Sequence, residues 1–424
     1  MQLMAVADCW SVQMKMILGL SCAKAVRGAN DVNNKSFLVI YYNSLIVRMM
    51  NISKTCKALF FALILTLTAA PASEAAVPFR KAETLEILQK TADWQIAHFN
   101  GKRKTFWWGN GALFVGMADW AELWQSQTQE EKYWDWLYNI ANKTRFQMGD
   151  RMFHADDQTI GQLNLDLYEH YGRNERMLWP TQCRVDWIID HHRDTPMDFR
   201  EKTLSTQDRW SWSDALYMAP PVFAKMFAVT GDVRYLDFMD QEYKAAYDLL
   251  YDQKEHLFFR DSRFIDRQEA NGAKVFWGRG NGWVVGGLVE ILKCLPENDS
   301  HRPFYEQLLK ELCIRLASLQ CEDGAWHASL LDPASYPAPE TSATGFIVYA
   351  MAYGVNNGIL KASRFTPVIV KGWKAMLAAV AEDGKLGYVQ PVGCDPKAVT
   401  AEMTEVYGVG AFLAAGTEIW KMAK

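Results

Sequence analysis

An all-α fold, closed as an (α/α)6 barrel with six inner and six outer helices in a single domain, is predicted for most of this 424-residue chain. Three observations predict it: a helical phrase that recurs six times, amphipathic stretches between the recurrences, and the absence of long alternating strand patterns. Each recurring phrase opens on a Gly or polar cluster and continues as an apolar run rich in small residues. The phrases begin near Gly109, Asp157, Asp214, Gly282, Gly345 and Gly410. Five steps between the first and the last give an average spacing of about 60 residues, room for two helices and two loops. The intervening stretches, such as 234–250 and 304–316, have one wet face. In the first of them Tyr235, Phe238, Met239, Tyr243, Ala246, Leu249 and Leu250 recur at three- and four-residue spacing. They read as outer helices. An open α-solenoid is the competing architecture, but it leaves small-residue inner helices facing a groove. Gly286, Gly287 and Ala350 instead allow neighbouring helices to approach closely around a closed axis.

Half of the residues are hydrophobic and 22% are charged, a mix that folds and can bury a large core. There are 45 basic and 49 acidic side chains; without the first 76 residues, which hold seven and three, the balance is 38 against 46. That balance argues against a nucleic-acid partner, which would need a basic face. The chain carries 17 Trp, 17 Tyr and 21 Phe. Such rings fill a large core or stack on the C–H faces of sugars.

The N-terminal part predicts a targeting segment. Asn51 to Lys57 is short and basic, Ala58 to Leu67 is apolar, and small residues follow, with cleavage expected after Ala72 or Ala76. The apolar run is too short to span a bilayer. Cys56 precedes it, whereas a lipid-anchored cysteine would follow it. Residues 1–48 are therefore read as an upstream extension before a start at Met49 or Met50, residues 49–76 as a secretory signal peptide, and 77–424 as the barrel. The mature protein is expected to be exported, periplasmic in a Gram-negative source and otherwise secreted, free of the membrane and monomeric. Its five cysteines, Cys183, Cys294, Cys313, Cys321 and Cys394, are odd in number and lack a C-x-x-C. Free thiols are expected, with a Cys313–Cys321 bridge as the alternative. The histidines are scattered apart from His191-His192, so neither a metal nor a cofactor is predicted.

If the inner helices run parallel, their N-termini share one end, and the residues that open them line one cavity. Those residues are Trp107, Trp108, His154, Asp156, Asp157, Trp210, Trp212, Asp214, Arg279, Asn281, Trp283, Glu340, Thr341 and Ser342. Asp157 and Asp214 also stand where an N-cap is wanted. Ser213 can cap its helix alone, which frees Asp214. Asp156 is the weaker of its pair, because only one of two adjacent residues is expected to face the cavity. Arg279 lies among Gly278, Gly280 and Gly282, a backbone suited to close approach, and its planar fork suits a sugar carboxylate. The stretch from Trp326 to Glu340 reads as a loop at the cavity mouth, with Trp326 and Tyr336 available to stack on a second sugar. Rings, two carboxylates and a guanidinium together describe a sugar-hydrolase-like barrel.

Four motifs carry a resemblance over nearly the whole mature chain: His154-Ala-Asp-Asp157 with Gly161, Trp212-Ser-Asp214-Ala-Leu-Tyr-Met218, Trp277-Gly-Arg-Gly-Asn-Gly-Trp283, and Ser329 through Tyr336 and Glu340 to Gly345. In these the chain resembles glycoside hydrolase family 105, the unsaturated rhamnogalacturonyl and glucuronyl hydrolases. The resemblance implies the same six-fold barrel, Asp214 as general acid/base with Asp157 as its carboxylate partner, and Trp212, Arg279 and Trp283 as contacts to the uronate. It implies a substrate left by a polysaccharide lyase, an oligosaccharide from pectin rhamnogalacturonan or a related glycan, ending in a C4–C5 unsaturated uronic acid. It also implies hydration of that double bond rather than direct cleavage at the anomeric carbon. Trp108, His154, Trp210, Trp326, Tyr336 and Glu340 are the further candidate contacts. Arg260 departs from the family pattern, in which a His follows the Phe-Phe pair, and suggests a different aglycone. A helix N-terminus favours the Asp214 anion; burial among Trp rings and repulsion from Asp157 are expected to outweigh it. An inverting glycosidase on saturated uronides and a non-catalytic glycan-binding protein are the alternatives.

Overall fold

Residues 77–99, 104–201 and 203–424 are described by the computed structural model of the protein. The predicted extension 1–48 and signal peptide 49–76 lie outside the described residues. Outer and inner helices alternate along the chain: α1 (Lys81–Ala97) is outer and α2 (Trp108–Thr128) inner, then α3 (Lys132–Lys143) is outer. The next inner helix is broken at Thr159 into α4 (Ala155–Gln158) and α5 (Ile160–His170), and α6 (Glu175–Asp190) covers it. The third inner helix is α7 (Ala215–Met218) and α8 (Pro220–Thr230), interrupted where Pro220 and Pro221 supply no N–H. The outer α9 (Arg234–Leu250), inner α10 (Gly278–Cys294), outer α11 (Arg302–Ala317), inner α12 (Thr341–Asn356), outer α13 (Ala362–Ala378) and inner α14 (Val406–Met422) complete the alternation.

The inner helices are buried nearly all round, as their all-round apolar sequence requires, while α9 and α13 bury one stripe. The barrel closes, because α14 packs against both α12 and α2. Glycine makes that closure possible: a Cβ at Gly116 would overlap the Gly410 carbonyl, and a Cβ at Gly410 the Ala112 carbonyl. The solenoid alternative is thereby excluded. Among the described residues the only paired strands are β1 (Tyr251–Asp252) and β2 (Leu257–Phe258), antiparallel across a turn in which His256 adopts φ 52°. No helix among the described residues is long and apolar enough to cross a membrane. All five cysteines among the described residues are free thiols.

The two ends of the barrel differ chemically. Toward the C-terminal ends of the inner helices, charges satisfy one another. Lys225 pairs with Asp166, Lys293 with Asp119 at 2.8 Å and Glu290 at 3.1 Å, and the Tyr349 hydroxyl donates to Glu290 at 2.5 Å. These bonds link five inner helices. The N-terminal end holds Asp156, Asp157 and Asp214, whose partners are Arg151, Arg260 and Ser213.

Candidate active site

Asp214 is set in place by a short stretch of strand-like pairing. Trp212 bridges Asp261, and the Ser213 N–H donates to the Arg260 carbonyl at 2.8 Å, so the segment before α7 runs beside residues 259–261. The Asp214 side chain makes no capping bond to its own helix. It is only 8% exposed, accepts from the Ser213 hydroxyl at 3.0 Å, and has Arg260 Nε 3.5 Å from Oδ2. The capping alternative therefore fails for this residue, and Ser213 bonds to the carboxylate instead of capping. Arg260 is fixed from behind: its Nη1 donates to Asp261 at 2.7 Å, and Asp261 also accepts from Arg263 Nε at 2.9 Å and Nη2 at 2.8 Å. Burial works against the Asp261 anion, but the Arg263 hydrogen bonds and the Arg260 charge hold its carboxyl below the usual range. The position where the chain departs from the family pattern thus places a cation beside the expected acid/base.

The two adjacent aspartates diverge at the start of α4. The Asp157 carboxylate accepts from Arg151 N at 2.7 Å, Nη2 at 2.6 Å and Nε at 3.2 Å, and lines the cavity mouth. Asp156 is not part of that lining, and its Oδ2 lies 3.7 Å from Arg151 Nη2. Burial, and then repulsion from Asp214, push its carboxyl up to about 7, although Arg151 and Arg260 pull it down. Helical residues project about 100° apart, so consecutive side chains can flank one cavity from two sides. Of the two, Asp157 lines the cavity, as expected of a pair of which one faces it, while Asp156 feels the Asp214 charge. His154, at the N-cap position of α4, accepts from Asp156 N at 3.3 Å and lies 5.0 Å, ring to ring, from Trp212. Burial and the Arg151 charge lower its pKa to about 4, so the ring is neutral.

The aromatic floor is a packed cluster. Trp283 is fully buried against Phe346, Tyr217, Trp108 and Tyr407, with centroids 4.6, 4.9, 6.0 and 6.0 Å away. Trp108 stacks on Tyr407 and is partly exposed. It lines, with Lys104, Phe106, Trp107, Asp150, Arg151 and Asp157, a cavity of about 450 Å³, large enough for a sugar unit.

Several expected contacts lie elsewhere. Arg279 does not offer its fork to the cavity. The guanidinium is buried between the Trp277 and Tyr407 rings, at 4.4 and 4.8 Å, and donates to the carbonyls of Gln390 at 2.5 Å and Pro391 at 3.0 Å. Glu340 is the N-cap of α12: fully buried, it accepts from Ser342 N and Oγ, Ala343 N and Gln390 N. Trp210 packs between Phe223 and Phe238, joining α8 to α9. Trp326 is fully buried with Nε1 bonded to the Leu316 carbonyl at 2.8 Å, so it serves loop packing rather than a second sugar. Trp212 is 2% exposed and supports His154 from behind. Tyr336 alone of the loop candidates stays half-exposed. Gln390 was missed altogether: Trp277 Nε1, Arg279, Glu340 and the Tyr407 hydroxyl all converge on it. Arg151 was missed too. Neither lies in a motif; the only sequence signal is proximity of Arg151 to His154-Ala-Asp-Asp157.

Residues 80–423 match the family described as Glycosyl Hydrolase Family 88. An unsaturated 3S-rhamnoglycuronyl hydrolase of Alteromonas sp. (strain LOR) is 37% identical over 355 residues, covering 78% of this chain and 85% of the relative. A solved glycosyl hydrolase family 88 structure from Bacteroides vulgatus superposes with a TM-score of 0.73 at 26% identity, covering 81% of this chain and 100% of that one. A solved chain titled Polysaccharide Lyase BACCELL_00875 superposes with a TM-score of 0.71 at 30% identity, covering 80% and 97%. With the six-fold barrel, the buried carboxylates and a family match over 344 of its residues, the chain belongs to Glycosyl Hydrolase Family 88.

Proposed function

We propose that the protein is an unsaturated uronyl hydrolase of the family 105 kind, removing a C4–C5 unsaturated uronic acid from the non-reducing end of lyase-generated oligosaccharides. The carrying observation is the carboxyl pair: burial and the Asp214 charge push Asp156 up to about 7, so it is about half protonated at neutral pH. A protonated carboxyl of this pair delivers H⁺ to C4. Water adds its oxygen to C5 and returns a proton to the carboxylate, and the resulting hemiketal opens to release the aglycone. Atoms balance with one water consumed. Asp156 thereby takes the partner role first expected of Asp157, while Asp157 and Arg151 shape the mouth. Lys104 pairs with Asp150 and Arg151 with Asp157 at that mouth, so its charge is balanced, and a rhamnose-containing aglycone is supported by the Alteromonas relative, a 3S-rhamnoglycuronyl hydrolase. Export through the segment 49–76 fits a polysaccharide scavenger.

Hydrolysis in ¹⁸O-labelled water tests the chemistry. The label is expected at C5 of the released keto-uronate; label at the anomeric carbon instead would overturn hydration in favour of an inverting glycosidase. A lyase is the second reading, favoured by the likeness to Polysaccharide Lyase BACCELL_00875. The two differ in sign, since a lyase creates the double bond that this hydrolase consumes.

A further inference from the structure

At the base of the Trp326–Glu340 loop, a tight turn gathers three side chains of ligating chemistry. The Cys321 N–H donates to the Ala325 carbonyl and the Gly324 N–H to the Cys321 carbonyl, both at 3.0 Å, with Gly324 at φ 89°. This folds the spacing Cys-x-Asp-x-x-x-His back on itself. One ligand atom each from Cys321, Asp323 and His327 lie within 4.8 Å of one another. We propose that Cys321, Asp323 and His327 form a zinc site, binding one divalent ion through thiolate, carboxylate and imidazole with water in the fourth position.

The ligand set suits this ion: sulfur, nitrogen and oxygen donors together are characteristic of zinc rather than of magnesium or calcium. Zinc bonds of about 2.0–2.3 Å place tetrahedral ligands about 3.3–3.8 Å apart, so the three atoms need to close by about 1 Å. His327 Nε2 already lies 3.0 Å from Asp323 Oδ2. The outer partners aim the ligands. Asp323 Oδ1 accepts from Ala325 N at 3.0 Å, leaving Oδ2 for the ion, and His327 Nδ1 lies 3.4 Å from the Pro333 carbonyl, leaving Nε2. A backbone carbonyl on the far nitrogen is the usual way a zinc-bound imidazole is oriented. Asp323 is 41% exposed and His327 10%, so the ion has a route in and a sheltered seat. Binding displaces the thiol proton and the proton shared by His327 and Asp323.

The site adjoins the active-site floor. The His327 carbonyl touches the start of α10 so closely that a Cβ at Gly278 would lie 2.5 Å from it, and Gly278 N donates to the Ala328 carbonyl at 2.7 Å. An ion on His327 therefore pins the strand that braces the helix bearing Arg279 and Trp283. This inference does not rest on the proposed activity, and its test reads metal rather than turnover.

The full mature chain, stripped with a chelator, is titrated with cobalt(II) and then zinc(II). A thiolate-to-cobalt charge-transfer band saturating at one equivalent is expected, bleached by zinc, with Tm rising by about 3 °C on zinc binding. Cys321→Ser should abolish the band. Asp323→Asn, at an exposed turn position, should keep it and weaken zinc affinity at least tenfold, with circular dichroism checking the fold of both. No band at one equivalent, or a band that persists in Cys321→Ser, would overturn the assignment. Unchanged zinc affinity in folded Asp323→Asn would overturn the three-ligand set.

Discussion

Replacing Asp156 by Asn is expected to stabilise the fold at pH 8 while disabling the enzyme. Burial and the Asp214 charge raise the Asp156 carboxyl from 3.8 to about 7. The folded protein thus holds a proton that the unfolded chain has already released between about pH 4 and 7, so the unfolding free energy falls as pH rises through that window. Three pKa units at 1.36 kcal/mol each set an upper bound of about 4 kcal/mol. The 19% exposure of the side chain and its contact with Arg151 Nη2 at 3.7 Å reduce the realised value to about 2–3 kcal/mol. Asn cannot ionise and keeps the volume. Urea unfolding of both proteins, followed by Trp fluorescence from pH 3 to 8.5, should show no pH-dependent difference below pH 4 and a growing advantage for the variant up to pH 8. A difference that does not change with pH, or a variant less stable at pH 8, would refute the placement of the raised carboxyl.

Other consequences follow from the same geometry. Asp214→Asn should lower kcat by about 10²–10⁴, the scale of general acid/base assistance, with the circular dichroism spectrum unchanged. The pH–rate profile should fall above about pH 7 as Asp156 loses its proton, and Arg151→Leu, which removes a charge that lowers this pKa, should move that limb to higher pH. Gly116→Val forces a side chain into the Gly410 carbonyl and should cost more than about 1–3 kcal/mol by denaturant unfolding, the usual penalty for overpacking. Glu340→Ala strips the cap of α12 and the anchor of Gln390 N; a stability loss of about 2–3 kcal/mol is expected.

The architecture was legible because it repeats. Six similar phrases report one physical demand, an inner helix buried on every side, and Gly410 in the last phrase packs on α2, which carries the first. Asp214 stood out on the premise that Ser213 caps its helix, yet Ser213 donates to the Asp214 carboxylate and neither side chain caps. The rest depended on distances along a folded chain. Nothing in Arg279 or Glu340 distinguishes a substrate contact from a partner of Gln390, more than a hundred residues from the former, and burial decides the matter only after folding. Asp156 and Asp157 are chemically identical in sequence, and they are separated only by folding, through the Arg151 hydrogen bonds to the second and the burial and Asp214 charge around the first. Trp210 and Trp326 show how a ring-rich sequence overstates a sugar platform: both rings serve the interlayer core. Cys321 was read only as a thiol or bridge partner and His327 not at all, because the turn at Gly324 that brings them together is not visible in their spacing.

The most direct test of the central claim follows the ultraviolet absorbance of the conjugated C4–C5 double bond. Mature protein starting near Val77 is mixed with lyase-generated oligosaccharides from rhamnose-containing and pectic glycans, beside Asp214→Asn. Absorbance is expected to fall with the wild-type protein and to hold steady with the variant. A rise in absorbance on intact polysaccharide would identify a lyase, and steady absorbance with every oligosaccharide would contradict the hydration mechanism.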